Sequence, residues 1–359
     1  MVSVVHSVAA QSDFDQFFST LAEGLSQAEV ANLKEAVAYA WEVYGEALLG
    51  SGERIWSHAL GMAVIIAGLK LDADSRMAAV LFAVPAHDEH GITRIEERFG
   101  KPVADLVNGI SRLHKLRPIT KGFVAANLEA GEGNPAEVKA QVEVLRKMLL
   151  AMVEDIRVVL LRLASRTQTL RYYAAHQDDL RAQVARETLE LYSPLANRLG
   201  VWELKWELED LSFRYLDPTT YHEIAARVAE RRSDREHHID EVVEKLRTRL
   251  REEGIEATVD GRPKHIYSIH KKMQRKDLDF EQIYDVRGVR IIVNSLHDCY
   301  AALGVVHSSW SPIPGEFDDY IATPKDNMYQ SLHTAVVGPD GKPLEVQIRT
   351  EEMHRTAEF

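Results

Sequence analysis

Two polar clusters in the last third of the chain hold the group types that phosphate chemistry needs. The later one runs Glu316-Phe317-Asp318-Asp319-Tyr320-Ile321-Ala322-Thr323-Pro324-Lys325-Asp326-Asn327-Met328-Tyr329-Gln330-Ser331-Leu332-His333, followed by Leu344-Glu345-Val346-Gln347-Ile348-Arg349-Thr350. It is poor core material, because buried charges must be paired and a proline cannot continue a central strand. The earlier cluster is Gly261-Arg262-Pro263-Lys264-His265-Ile266-Tyr267-Ser268-Ile269-His270-Lys271-Lys272, and after it comes Ile283-Tyr284-Asp285-Val286-Arg287-Gly288-Val289-Arg290-Ile291-Ile292-Val293. The β-branched residues of that last run suit a buried strand, yet Asp285, Arg287 and Arg290 interrupt it. An ionised aspartate there needs a cation or a metal.

Two readings of these clusters stand side by side. In one they are solvated loops around a β-hairpin, since polar loops containing proline are common between strands. In the other they form a phosphate-transfer site. Arginine and lysine hold a polyphosphate, Asp285 and Glu345 on separate strands hold Mg²⁺, Tyr329 stacks on a base, and Asn327 and His333 hydrogen-bond to it.

The elements that must position these residues follow from periodicity. From Ser19 to about Leu195 the chain reads as successive amphipathic helices, with Leu33 to Leu49, Arg76 to Val84 and Val138 to Leu163 at helical spacing. Thr120 to Asn134 is the loop candidate. Leu195 to Gly200 reads as a helix end with Gly200 in a left-handed cap, and Trp202 to Tyr215 as another helix. The charged run Arg227 to Arg251 reads as a solvent-laced helix. From Ile255 short β-branched strands appear, with a helix at Leu296 to Val306 that packs Cys299. The expected organisation is a multidomain chain, all-α over 1–195 and α+β over 196–359.

Composition narrows the function classes. A chain of 359 residues supports more than one core. A formal charge of −12 argues against a general polyanion-binding surface and leaves room for a local basic patch. The single cysteine excludes an internal disulfide and fits a reducing compartment. There is no signal peptide and no long apolar run, so the expectation is a cytoplasmic protein without a membrane partner.

The segments Gly261 to Ser268, Tyr284 to Arg290, Tyr329 to Thr334 and Glu345 to Met353 resemble the RelA/SpoT family of (p)ppGpp enzymes, a likeness that extends over essentially the whole chain. The resemblance implies a helical HD-type hydrolase domain followed by a nucleotidyltransferase-like synthetase domain with a mixed sheet. Matched residue by residue, it implies that Arg262 and Lys264 hold the ATP phosphates with Ser268 and Lys272 in support. Asp285 and Glu345 are implied as Mg²⁺ ligands, Glu345 alternatively as base, and Lys325, Asn327, Tyr329 and His333 as the loop for GTP or GDP. The family has Gly where this chain has Met328, so a side chain alters that loop if a positive φ is required. The implied reaction is pyrophosphoryl transfer from ATP to the 3′-hydroxyl of GTP or GDP, with release of AMP, in the stringent response.

The same resemblance implies that the hydrolase half is ruined. Its first histidine is kept as His58. The family's His-Asp pair falls on Phe82 and Ala83, its Glu-Asp pair on Ala86 and His87, its later Asp on Ser165 and a nearby Asn on Thr169. His87-Asp88-Glu89-His90 looks like a metal-binding pair but lies out of register, and reads as a polar loop or helix end before Gly91. His58 reads as a histidine kept in a helical packing position. Glu316, Asp318 and Asp319 match the acidic motif of synthetase-only members, a set of carboxylates expected to bind Mg²⁺ or to repel the extra phosphate of GTP. The sequence ends at Phe359 while the family pattern is still running. The expectation is a catalytic fragment whose full-length form contacts the ribosome and uncharged tRNA through a C-terminal region. Two alternatives are a bifunctional synthetase and hydrolase using ligands such as His58 and His87, and a nucleotide-binding regulatory module without turnover.

Overall fold

A computed structural model describes residues 18–115, 155–176, 178–230, 232–262, 265–276, 288–325, 328–339, 341 and 343–358; the side chains at 114–115, 229–238, 262, 276 and 358 are also outside the description. The chain divides into two compact units, 1–195 and 196–359.

The first unit is helical: α1 (Gln27–Tyr44), α2 (Ile55–Gly68), α3 (Ala73–Leu81), α4 (Val84–His87), α5 (Gly91–Phe99), α6 (Lys101–Lys115), α7 (Ile156–Ala175) and α8 (Leu180–Glu187). A π-helical turn at Thr188–Tyr192 then leads into α9 (Ser193–Arg198). Helix α1 starts with a capping box, in which Ser26 and Glu29 satisfy each other's backbone N–H groups. Its interior face is Leu33, Ala36, Val37 and Ala40, and α2 contributes Ala59, Met62, Ala63 and Ile66, all buried. The small alanines let helix backbones approach closely, which spreads the core over many short contacts.

Three helix boundaries differ from the sequence reading. The helix expected over Leu33 to Leu49 stops at Tyr44, where Gly45 takes φ +47° and donates to the Trp41 carbonyl. The one expected over Arg76 to Val84 begins at Ala73 under an Asp72 cap and breaks at Phe82 and Ala83, before Pro85 opens α4. Of Val138 to Leu163, residues 138–154 lie outside the described residues, and a helix begins at Ile156, where Asp155 is extended and its carboxylate accepts from the Arg157 N–H. The Thr120 to Asn134 loop lies outside the described residues.

The second unit holds α10 (Trp202–Leu216), α11 (Pro218–Glu230), α12 (Arg232–Glu252), β1 (Ala257–Arg262), α13 (Ile266–Lys276), β2 (Gly288–Val293), α14 (Leu296–Ser309), β3 (Asp318–Asp319), β4 (Leu332–Val337), β5 (Pro343–Thr350) and α15 (Glu351–Glu358). The five strands form one mixed sheet in the order β1-β2-β5-β4-β3. Only β2 and β5 run parallel among the described pairs. One sheet face is apolar: Val259, Val289, Ile291, Val293, Leu332, Val336, Leu344, Val346 and Ile348 pack against Val242, Leu246 and Leu250 of α12 and Cys299, Ala302 and Val306 of α14.

The charged run Arg227 to Arg251 is therefore divided between α11 and α12, and over its described side chains, 239–252, α12 has one apolar buried side and one charged exposed side. Gly200 follows α9 at φ +76°, the left-handed geometry its residue type allows.

Candidate active site

Because side chains alternate along a strand, the polar residues of β5 share the sheet face opposite the core. Glu345, Gln347 and Arg349 stand there, beside Gly288, Arg290 and Ile292 of β2 and Ala335 and His333 of β4 in register. Arg262 of β1 pairs with Gly288 and so falls on the same face. Gly288, in register with Glu345, presents no side chain beside that carboxylate. On this face Gln347 and Arg349 are buried, while Glu345 and His333 keep about a fifth of their side-chain surface exposed.

The loop before β4 furnishes the wall. Tyr329 Oη and His333 Nε2 are 2.9 Å apart, and His333 Nδ1 lies 4.0 Å from Glu345 Oε1. The Tyr320 ring meets the His333 and Tyr329 rings edge-on, with centroids 5.2 and 6.4 Å away. Lys325 places its ammonium 4.2 Å from the Tyr320 ring and 5.3 Å from the Tyr329 ring, within cation–π range. Trp202 meets Tyr329 edge-on at 5.4 Å, so the start of α10 steadies the ring. Met328 sits at φ +62° with 68% of its surface exposed. The side chain at the family's Gly position thus does not prevent the left-handed turn; it occupies that turn at a cost of about 1–2 kcal/mol.

Across the unit, α13 is anchored by α10. Asp210 accepts from the Tyr267 N–H, one of the unsatisfied donors of that helix N-terminus, at 2.8 Å. His265 stacks on Trp206 at 4.4 Å and lies 3.5 Å from Asp210. Ser268 and Lys272 are one turn apart on this helix, and both are half-buried rather than part of an exposed turn. Lys271 lies 3.8 Å from Glu209 and over the Tyr267 ring.

The acidic motif divides its work. Asp319 accepts from the Ile321 and Ala322 N–H groups through one oxygen and from the Tyr300 hydroxyl through the other, so it closes the turn after β3. Asp318 pairs with His333 in register at the edge of the polar face. Burial and the neighbouring Asp318 carboxylate hold the Tyr320 hydroxyl above its usual pKa. The Glu316 carbonyl accepts from the Ala335 N–H.

Glu345, His333, Tyr329, Lys325 and the acidic motif are thus brought onto or beside one face. Ser268 and Lys272 lie on the neighbouring helix. Arg262 is described in its backbone alone, and Lys264, Asp285 and Asn327 lie outside the described residues. Sequence reading passed over Gln347 and Arg349, whose signal was the strict alternation with Leu344, Val346 and Ile348, and over Trp202, which had none.

In the first unit the corresponding region centres on His58, which is 1% exposed. Its Nδ1 is 2.7 Å from Glu53 Oε2 and its Nε2 is 2.9 Å from Ser165 Oγ. Phe82 lies against the imidazole at 5.3 Å, and Thr169 donates to the Ser165 carbonyl. Ala83 is buried at the end of the α3 break, Ala86 is in α4, and His87 ends α4 with its ring edge-on to Tyr44. Asp88 accepts from Arg94 and the His90 N–H, as a polar helix end does.

A family model described as an HD domain matches residues 36–202, and one described as a region found in RelA and SpoT proteins matches residues 261–359. A helical HD domain followed by that region, with its mixed sheet, defines the class, and the chain belongs to the RelA/SpoT family. It is 47% identical over 300 residues to the GTP pyrophosphokinase of Escherichia coli K12, covering 83% of this chain and 39% of that protein. It is 43% identical over 325 residues to a Synechocystis protein named a probable guanosine-3′,5′-bis(diphosphate) 3′-pyrophosphohydrolase, covering 90% and 41%. The chain therefore spans about two fifths of the length of these curated relatives. A crystal structure of small alarmone synthetase 1 from Bacillus subtilis bound to its product pppGpp is 26% identical over 37% of this chain and 76% of that one, with a TM-score of 0.29. A score that low transfers no detail. Among the described residues, no helix is long and apolar enough to cross a membrane.

Proposed function

We propose that this chain is a GTP/GDP pyrophosphokinase: it transfers the β,γ-pyrophosphate of ATP to the 3′-hydroxyl of GTP or GDP and releases AMP. The observation that carries the reading is the polar sheet face, where the Glu345 carboxylate lies beside His333 and Tyr329 in a region shared with proteins named for this activity. Tyr329, braced by Trp202 and Tyr320, offers a face for guanine, and Lys325 a charge for its phosphates. Arg262 and Lys264 hold the ATP phosphates, with Ser268 and Lys272 on α13 in support.

A partly exposed carboxylate is a hard oxygen donor, so Glu345 fits a divalent ion such as Mg²⁺, with Asp285 as the proposed second ligand. Bound there, the ion would neutralise phosphate charge. Alternatively, Glu345 takes the proton of the attacking 3′-hydroxyl as the 3′-oxygen bonds to the β-phosphorus and AMP leaves. Positioning and charge neutralisation carry most of such a transfer. Replacing Glu345 with glutamine keeps the shape and removes the charge, and should lower kcat by about 10²–10³, the scale of losing one well-placed electrostatic group. Near-normal turnover of labelled ATP and GDP would remove Glu345 from the mechanism.

Asp318 is assigned to discriminate against the extra phosphate of GTP, and Asp319 to hold the loop. The HD domain is read as inactive toward (p)ppGpp: both His58 ring nitrogens are engaged by Glu53 and Ser165, and Phe82 and Ala83 offer no ligand. Release of pyrophosphate from labelled ppGpp with Mn²⁺ would instead support the bifunctional reading that the Synechocystis relative's name suggests. Contacts with the ribosome and uncharged tRNA are proposed for the part of the relatives' length that this chain does not span.

A further inference from the structure

The contacts of His58 make more than a packed histidine. Glu53, 3% exposed, accepts from Gln168 Nε2 at 2.7 Å through Oε1 and holds His58 Nδ1 at 2.7 Å through Oε2. A carboxylate at Nδ1 fixes the proton there and leaves Nε2 as an acceptor. Ser165 Oγ is 2.9 Å from that nitrogen, so its hydroxyl donates to it. The sequence of contacts is nucleophile, imidazole base, orienting carboxylate, which is the arrangement that activates a serine.

Ser165 and His58 also line a cavity of about 170 Å³, together with Ser51, Arg162, Arg166 and Leu180. Leu180 is 42% exposed and stands at the rim. Of the two guanidinium groups, Arg166 is balanced by the buried Glu187 carboxylate at 2.8 Å and Arg162 donates to the Tyr192 hydroxyl, whose ring lies 5.4 Å from Arg162 and 4.1 Å from Arg166. Gly61 has a packing role in the same network: a Cβ there would lie 2.2 Å from Gln168 Oε1, so a side chain would displace the glutamine that steadies Glu53. Two hydrogen bonds satisfy a buried histidine; what goes beyond packing here is that the serine end of the relay borders a cavity.

We propose that Ser165, His58 and Glu53 form a metal-independent nucleophilic site for small esters that carry a negative charge. Ser165 Oγ bonds to the acyl carbon while its proton passes to His58 Nε2. The ester C–O bond breaks, and the leaving alcohol takes that proton. Water, deprotonated by the same nitrogen, then releases the acid and restores Ser165. Arg162 attracts the substrate's charge, since the Arg166 charge is balanced by Glu187. Ser165 and His58 are catalytic residues, and Glu53 is a positioning residue.

The test uses the full chain with an alkyl fluorophosphonate, whose phosphorus bonds to an activated serine as fluoride leaves. Intact-mass and peptide analysis should find one adduct, on Ser165. It should be absent in Ser165→Ala and slowed at least tenfold in His58→Gln, with helical circular dichroism unchanged in both. With p-nitrophenyl succinate, Glu53→Gln should lower kcat while leaving KM unchanged, a split that a merely structural role would not produce. If wild-type Ser165 takes no adduct, or if the adduct forms equally fast in a folded His58→Gln variant, the proposal is overturned.

Discussion

Replacing Glu187 with glutamine perturbs the most deeply buried charge pair described in the first unit. Arg166 Nη2 lies 2.8 Å from Glu187 Oε2, and both side chains are 2% exposed. Arg162, also buried, donates to the Tyr192 hydroxyl at 2.9 Å. Burial raises the pKa of that hydroxyl, but the Arg162 and Arg166 charges outweigh it and hold the group below its usual value. Glutamine keeps the shape of Glu187 and removes its charge, leaving the Arg166 guanidinium buried without its carboxylate. Breaking one side of a buried pair costs about 3–5 kcal/mol. With about 2.1 cal/mol/K of unfolding entropy per residue over a unit of 195 residues, that corresponds to a Tm drop of about 7–12 °C. Differential scanning calorimetry reads the shift, and amide hydrogen exchange along α7 and α8 locates it. The double variant Arg166→Met with Glu187→Leu should recover most of the loss, because it removes the charges together. A Glu187→Gln shift below about 2 °C would refute the reasoning, since a solvated pair contributes no more than that.

Three further outcomes are expected. Met328→Val puts a β-branched residue at φ +62°, and the added strain of about 1 kcal/mol or more should raise KM for GDP several-fold; an unchanged KM would mean that the turn is not required for binding. Burial pushes the Cys299 thiol up to about 12, with Asp298 adding to it, so iodoacetamide at pH 8 should leave the native chain unlabelled and modify it fully in urea. Burial holds the His307 imidazole below its usual pKa. The unfolded chain therefore binds that proton more readily, and His307 costs stability as the pH falls from its unfolded pKa toward the lower folded one, with no effect above that window. Urea midpoints at pH 7.5 and pH 5 should differ less in His307→Gln than in the wild type, and an unchanged difference would assign the acid sensitivity to other groups.

The synthetase half was legible because its signals are local. Alternation of Leu344, Val346 and Ile348 with Glu345, Gln347 and Arg349 assigns opposite faces by the two-residue period of a strand, whatever the strand packs against. The helix of Cys299 and the cap at Gly200 were equally readable, since each depends on residues within a few positions. Helix limits were less so: Tyr44 and Asp155 end or start helices where one residue's backbone outweighs a run of good helix formers. The face of α12 that packs on the sheet was hidden in a strongly charged run, because a few apolar side chains, Val242, Val243, Leu246 and Leu250, suffice to bury one stripe.

The sequence by itself determined the helical first half, the mixed α+β second half and the residues Phe82, Ala83 and Ser165 that stand where the family resemblance implies hydrolase ligands. Tertiary structure decided what these residues contact. His58 and Ser165 are 107 residues apart, and Gln168 and Glu53 are 115 apart, so no periodicity links them. Their contact exists because α2 and α7 pack side by side with Gly61 leaving room for Gln168. Spacing along the chain is fixed by backbone geometry and can be read from the residues, whereas spacing between helices is set by how their side chains fit together.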